Sequence, residues 1–472
     1  MNHQTQQDLQ QILQQMKQAH LRSEPASVAL RRDRLMRSAA LLRENYQAIS
    51  QAISADFGHR SGYQSMVADL ATTINMLNHS AAHVENWMQP EAAEVPVAGM
   101  QAWIEPQALG VVGIISPWNF PINLAFGPLA GVFAAGNTAM LKPSELTPKT
   151  SELIAELVAR YFSPDELTVV LGDAEIGQAF STLPFDHLVF TGSTAVGKHV
   201  MRAAAENLVP VTLELGGKSP VVVDVSADPQ MAAARTLTVK TFNAGQICIS
   251  PDYMLLPESM TEAFIDAAQT LVAQSFPTMQ ANPDYTSIIH DRHYQRLIHL
   301  LDDAAQQGAR VISLAPAGEP AFDPISRKIA PHLILGVTDQ MLMMQEEIFG
   351  PLLPVMTYSG DLAEVIGYIN AHPRPLAAYF FSDDVEHQRL MRQKTTSGAL
   401  VINDVMTHVS LDSLPFGGVG ASGIGAYHGI HGFRRFSHAK PVVVQDELGT
   451  TNLRLRAPYA DKQAAVDTFF HS

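Results

Sequence analysis

The chain has 472 residues, 46% of them hydrophobic, a formal net charge of −15 and a single cysteine. That length predicts two or three lobes, each with enough apolar residues for its own core. One cysteine excludes an internal disulfide and a cysteine-rich zinc site, and an acidic balance without a basic tract argues against nucleic-acid and anionic-membrane partners; a reducing, cytoplasmic setting is expected.

Leu9, Ile12, Leu13 and Met16 recur at helical spacing and no apolar signal core precedes them, so the chain is expected to open with an amphipathic helix. Residues 106–141 carry no charged side chain. Pro117, Pro121, Pro128, Gly127 and Gly131 interrupt that run, so buried strand and helix are expected rather than a membrane span of about 20 apolar residues.

From residue 109 the pattern alternates. LGVVGIIS reads as a strand, 122–135 as a helix, TAMLK as a strand, and TPKTSELIAELVARYF as a helix capped by Thr147 with Pro148 in its first turn. LTVVL (167–171) and HLVF (187–190) continue the strands, and a helix starts near Thr194. Short β-rich runs between helices predict parallel βαβ units, hence an α/β fold. After LELGGK the alternation restarts, with strands near 253–256 and 398–403 and helices near 228–243, 258–275 and 293–307, giving a second α/β lobe with a boundary near Gly216 and Gly217. Residues 86–104 and the region after Ser410 fit neither lobe and are expected to form an arm.

Five short stretches carry polar residues suited to chemistry. In FTGST, Gly192 lets a ligand approach the backbone, and the free N–H groups after Ser193 favour an anion such as a pyrophosphate; a purely structural turn is the alternative. Lys142 and Glu145, in LKPSE at a strand end, offer a cation and a carboxylate to ribose hydroxyls, or are a solvated strand end. Asn119, in the stiff loop SPWNFP, either satisfies its own turn or aims its amide at a developing oxyanion. Glu214, at the end of an apolar strand, is either paired or has its pKa raised toward that of a general base. Cys248, in FNAGQIC, is either an inert small hydrophobe or a nucleophile that depends on help from other segments, with Glu214 and Asn119 as candidates. His290 with His293, and His428 with His431, lack the partners of a metal site, and none is expected. A papain-like hydrolase would need one of the 18 histidines brought to Cys248.

The ordered set PWNFP, KPSE, FTGS, LELGGK, FNAGQIC, EEIFGP (346–351) and PFGG (415–418) resembles the aldehyde dehydrogenase superfamily, most closely over residues 105–440. The resemblance implies an α/β fold with a Rossmann-like cofactor domain (1–85 and 105–215), a catalytic domain (216–409), an oligomerisation arm (86–104 and 410–445) and a C-terminal tail (446–472). It also implies Cys248 as nucleophile, Glu214 as general base, and Asn119 with the Cys248 N–H as oxyanion donors. On the cofactor side it places Trp118, Lys142, Glu145, Gly192, Ser193, Glu347 and Phe349, and it puts Asn403 near the active site. ADFGHRS (55–61), GQICISPDY and PFGGVGASGIGAYHG look like the class 3 branch and, within it, bacterial enzymes acting on coniferaldehyde. NAD is the expected cofactor, with NADP as the alternative, because Glu145 would repel a 2′-phosphate. A homodimer oxidising an aromatic or medium-chain aldehyde is expected, with Trp118, Phe120 and Tyr63 as an aromatic lining and a tail too polar for a membrane anchor. A cofactor-independent thiol esterase using the same Cys and Glu, or a non-catalytic binding relative, are the alternatives.

Overall fold

A computed structural model describes residues 6–95, 99–445 and 452–471; expectations for 1–5, 96–98, 446–451 and 472 lie outside the described residues. The uncharged stretch becomes the centre of a six-stranded sheet. Its order is Gly423–Ile424, Val211–Leu215, His187–Gly192, Val111–Ile115, Thr138–Lys142 and Leu167–Val169, parallel throughout except at the Gly423–Ile424 edge. Strand Thr138–Lys142 is buried at every position, which is why its middle, residues 139–141, is an unbroken apolar run that does not alternate. From Val111–Ile115 the chain moves outward to one side through Thr138–Lys142 and Leu167–Val169, then returns to the other side with His187–Gly192. The crevice beyond the carboxyl ends of Val111–Ile115 and His187–Gly192 is therefore the switch point where open parallel sheets take ligands.

Between Leu215 and Pro220 the chain leaves this sheet for a seven-stranded one. Its order is Arg310–Ser313, His332–Leu335, Leu352–Tyr358, Tyr253–Pro257, Pro220–Val223, Ala377–Phe381 and Ala399–Ile402, again parallel except at the first edge. A third, antiparallel sheet joins Glu91–Ala92, Gln101–Ala108 and Ser437–Val444. Of the 410–445 segment only its end enters this sheet. Gly423–Ile424 instead pairs with Leu213 and Glu214, and helix Gly429–Arg435 packs on helix Asn123–Ala134.

The amphipathic first helix spans Gln6–Arg22 and buries Leu9, Leu13 and Met16 among Val111, Met140, Phe180 and Leu188. The helix expected after Thr147 runs Pro148–Tyr161, but the Thr147 side chain makes no capping bond. Asp56, at the end of helix Tyr46–Phe57, accepts from the N–H groups of Lys149 (3.0 Å) and Thr150 (2.8 Å) and supplies the cap from a distant helix. Further along, helix Thr72–Trp87 is preceded by seven residues of π-helix, Ser65–Ala71. Among the described residues no helix is long and apolar enough to cross a membrane.

One ionic network ties the N-terminal helices to the first sheet. Glu166, just before strand Leu167–Val169, accepts from Arg34 Nε (3.1 Å) and from Arg37 Nη1 (2.9 Å) and Nη2 (2.8 Å) on helix Val28–Glu44. Burial alone would raise the Glu166 pKa, but the hydrogen bonds from Arg37 and Arg34 outweigh it and hold the carboxyl down at about 2. A depressed carboxylate stabilises the fold above its unfolded pKa and loses that contribution as pH falls through its folded one. E166Q is therefore expected to melt earlier than the parent at neutral pH, and the gap should close as the pH is lowered from 4.5 towards 2, where the parent's own carboxyl takes up its proton; thermal melts across that window check this.

Candidate active site

Both sheets end at one cleft of about 1070 Å³, whose wall includes Trp118, Asn119, Gly192, Ser193, Glu214, Cys248, Glu347 and Phe349. The sulfur, the carboxylate and the amide singled out in the sequence thus face a common space, though they come from three segments. That volume exceeds what a small carbonyl compound needs and suits an extended ligand.

Cys248 is held by a strained turn. Helix Pro229–Thr241 runs into Phe242–Gly245, where Asn243 (φ 49°), Ala244 (φ 50°) and Gly245 (φ 71°) are left-handed in succession. Ala244 there costs about 1 kcal/mol or more, and a Cβ at residue 245 would overlap the Gly350 carbonyl. Buried side chains hold the turn: Gln246 Nε2 donates to Asn243 O (3.0 Å) and Ser287 O (3.1 Å), its Oε1 accepts from Ile289 N (3.0 Å), and Gln64 Oε1 accepts from Asn243 N (3.0 Å). Behind the sulfur, the buried Tyr379 hydroxyl donates to Ile249 O.

Electrostatically the cleft keeps protons on its acids. Burial pushes the Cys248 thiol from 9.0 up to about 12, with Glu347 and then Glu214 adding to the effect and the N–H groups of Cys248 and Ile249 opposing it. Glu214 is 3% exposed, neither of its oxygens has a hydrogen-bond partner among the described residues, and burial raises its pKa well above the usual carboxylate range while Arg435 opposes the rise. Glu347 is raised to about 8 by burial and then by Asp252, against the Gly217 N–H, Lys218 and Arg296.

The Glu347 loop is fixed by groups that sequence motifs alone did not assign. Lys218 Nζ donates to Asp252, to Met343 O (2.7 Å) and to Glu346 O (3.1 Å); Asp252 Oδ2 accepts from Ile348 N (2.9 Å). Arg296 donates to Glu347 O and Ile348 O, and His293 Nε2 bonds to Phe349 O (2.8 Å). A side chain at residue 216 would overlap the Glu347 carboxylate, so Gly216 is what lets that group reach the cleft. Lys218 was within reach of sequence reading as the last residue of LELGGK; Arg296 carried no motif.

Other residues singled out in the sequence are placed differently. Ser193 caps helix Thr194–Ala205, its hydroxyl accepting from Val196 N (3.4 Å), so the N-terminus of a 12-residue helix opens into the cleft beside Gly192. Trp118 packs edge-on against Phe349 at 5.4 Å. Lys142 and Glu145 bind each other (2.7 Å) and neither is part of the cleft wall, although Leu146 is. Phe120 and Tyr63 do not form an aromatic lining: Phe120 is buried beside Arg60, and Tyr63 is 68% exposed. Asn403 accepts from Ser382 N (2.8 Å) and donates to Ser382 O (3.0 Å), so both ends of its amide serve the backbone outside the cleft. Among the described residues, no group of three or more His, Cys, Asp and Glu is placed to hold a metal.

A dinucleotide fits the arrangement: the helix N-terminus and Gly192 suit a pyrophosphate, and Glu347 and Phe349 reach in from the opposite lobe. Comparison with known proteins agrees with this chemistry. The model of the aldehyde dehydrogenase family matches residues 1–442. A coniferyl aldehyde dehydrogenase of Pseudomonas sp. (strain HR199 / DSM 7063) is 59% identical over 449 residues, covering 95% of this chain and 93% of its own. Among solved structures, substrate-bound AldH of Staphylococcus aureus is similar with a TM-score of 0.91 at 35% identity, over 98% of this chain and 99% of that one. An indole-3-acetaldehyde dehydrogenase of P. syringae in complex with NAD+ gives 0.85 at 26% identity, over 93% and 89%.

The raised thiol pKa has a direct consequence for labelling. Because the neutral form is favoured, alkylation of Cys248 by iodoacetamide in the ligand-free protein should be slow near neutrality and still rising at about pH 10, where a free thiol has nearly levelled off. A rate that plateaus at or below the free-thiol pKa would show that burial does not control the sulfur.

Proposed function

The chain belongs to the aldehyde dehydrogenase family and is an oxidoreductase that acts on aldehydes with NAD(P), and from that premise we propose that Cys248, Glu214 and Asn119 carry the reaction on an aromatic aldehyde of the coniferaldehyde type. The observation that carries this reading is the shared cleft: one thiol, one unpartnered carboxylate and one amide donor on its wall, beside a helix N-terminus.

In this reading the Cys248 sulfur passes its proton to water as it bonds to the aldehyde carbon, and the carbon–oxygen double bond opens. The carbonyl oxygen becomes an oxyanion, met by the Asn119 amide and the Cys248 N–H; loss of one such donor costs about a hundred- to a thousandfold in rate. NAD(P), when bound, supplies the acceptor for the hydride that leaves the same carbon. What remains on Cys248 is a thioester. Glu214, in its ionised form, then takes a proton from water as the water oxygen adds to the thioester carbon; the C–S bond breaks, that proton passes to the sulfur, and the acid departs. A carboxylate stripped of water is a stronger base than an exposed one, which suits Glu214 to this step.

The first sheet with residues 1–85 and 105–215 serves as the cofactor domain and residues 216–409 as the catalytic domain. The antiparallel sheet serves as the dimer arm: its outer strand Ser437–Val444 leaves one edge open, with Val443 and Val444 exposed, and such an edge seeks a partner strand. The described tail residues, 452–471, stay outside both domains, and the dimer works in the cytoplasm. NAD is favoured over NADP because the P. syringae enzyme to which this chain is similar holds NAD+ in its solved structure. Support for an aromatic substrate comes from the coniferyl aldehyde dehydrogenase that this chain resembles at 59% identity.

C248A is expected to bind NAD as the parent does and to form no reduced cofactor with any aldehyde. With the parent, kcat/KM measured by reduced-cofactor absorbance should be highest for coniferaldehyde, lower for benzaldehyde, lowest for straight-chain aldehydes, and higher with NAD than with NADP. Turnover by C248A contradicts the nucleophile, and a preference for straight-chain aldehydes contradicts the substrate class.

A further inference from the structure

Arg60 and Asp69 form an ion pair with both side chains fully buried (2.8 Å). The guanidinium lies between the rings of Phe57 (5.2 Å) and Phe120 (4.9 Å), and Asp69 sits in the π-helical turn Ser65–Ala71. A buried ion pair is a poor source of stability, since desolvation offsets its attraction, and apolar replacements of similar volume are often neutral or better. Its remaining contacts all converge on the loop that carries Asn119.

Arg60 Nη1 donates to the Asn119 carbonyl (2.9 Å), and Asp69 Oδ1 accepts from the N–H groups of Ile122 (3.0 Å) and Asn123 (3.2 Å). The Asn123 amide closes the clamp through Thr73 Oγ1 (3.0 Å), whose hydroxyl donates to Asp69 O. The same Asn119 carbonyl accepts from Asn243 Nδ2 (3.3 Å) in the turn that presents Cys248, while Asn119 Nδ2 donates to Gln246 O (3.2 Å). Arg60 and Asp69 thus grip both ends of residues 119–123, and the donor amide is gripped against the cysteine turn.

We propose that the buried Arg60–Asp69 pair is a positioning device for the oxyanion donor, fixing the Asn119 amide relative to Cys248 from outside the cleft. This rests on the reading of Asn119 given above. Neither residue is itself part of the cleft wall, so the pair acts on the cleft through the loop of residues 119–123. A π-helical turn is a recurrent way to aim a side chain at a functional site, and here it aims Asp69 at the loop's backbone.

The test is a kinetic cycle on the full-length enzyme with aldehyde and NAD, comparing parent, R60M, N119A and the double variant. R60M is expected to lower kcat by about tenfold to a hundredfold, as small misplacements of catalytic groups do, with NAD affinity unchanged. In the N119A background the same substitution should cost nothing further, because the group it positions is gone. If N119A itself keeps the parental kcat, the oxyanion reading fails and takes this proposal with it. If N119A is impaired but R60M is not, or if the two losses multiply in the double variant, the positioning proposal is overturned while the oxyanion reading stands. Should R60M not fold, D69N, which preserves shape and one acceptor oxygen, takes its place: a fall in kcat with NAD affinity retained supports the proposal, and parental kcat overturns it.

Discussion

Burial of a thiol and a carboxylate in the same cleft is the constraint on which the rest of this structure depends. Each would titrate in its ordinary range in water; the half-buried Cys248 is pushed up to about 12 and the buried Glu214 well above the carboxylate range. Glu347 and then Glu214 add to the rise at Cys248, because an anion beside the thiol raises its proton affinity. A site with this bias rests in its neutral form. In the proposed reaction the sulfur becomes a nucleophile only as its charge passes onward, which is why an amide donor at the proposed oxyanion position would matter more here than in a cleft that already holds a thiolate.

Such a bias is useful only if the groups cannot swing apart, and the fold spends strain and buried polarity on that. Three successive left-handed residues lead into Cys248, and Gln64, Asn243 and Gln246 hold them through hydrogen bonds from the N-terminal helices and the second lobe. Across the cleft, Lys218, Asp252 and Arg296 fix the loop that carries Glu347. The strand that supplies Glu214 is braced on its far side by Gly423–Ile424, which pairs with it, and by Arg435, which donates to Thr212 Oγ1 (2.9 Å). Each of these groups is therefore located by hydrogen bonds or strand pairing from other segments of the chain.

What was legible in the sequence was the alternation of short apolar runs with helices and the polar residues at strand ends, because a parallel sheet buried on both faces writes both directly into the chain. Asn119, Gly192, Glu214 and Cys248 all sit where a strand or helix gives way to a turn. Illegible were relations between distant segments. Arg60 and Asp69 are nine positions apart, and nothing in ADFGHRS says that a π-helical turn brings them together or that both vanish from solvent. Lys142 and Glu145 looked equally available to a ligand, yet three positions apart they satisfy each other. Tyr63 and Phe120 are indistinguishable as aromatic wall in the sequence; packing places Tyr63 on the surface and turns Phe120 against Arg60.

The central claim is that Cys248 carries the substrate as a thioester which Glu214 then helps water to cleave. The most direct measurement is the mass of E214Q after mixing with coniferaldehyde and NAD, followed by peptide mapping. The account predicts one acyl group per chain, on the peptide containing Cys248, in a variant that transfers hydride but releases acid slowly. An unmodified protein that turns over at the parental rate, or an acyl group found on another residue, would contradict it.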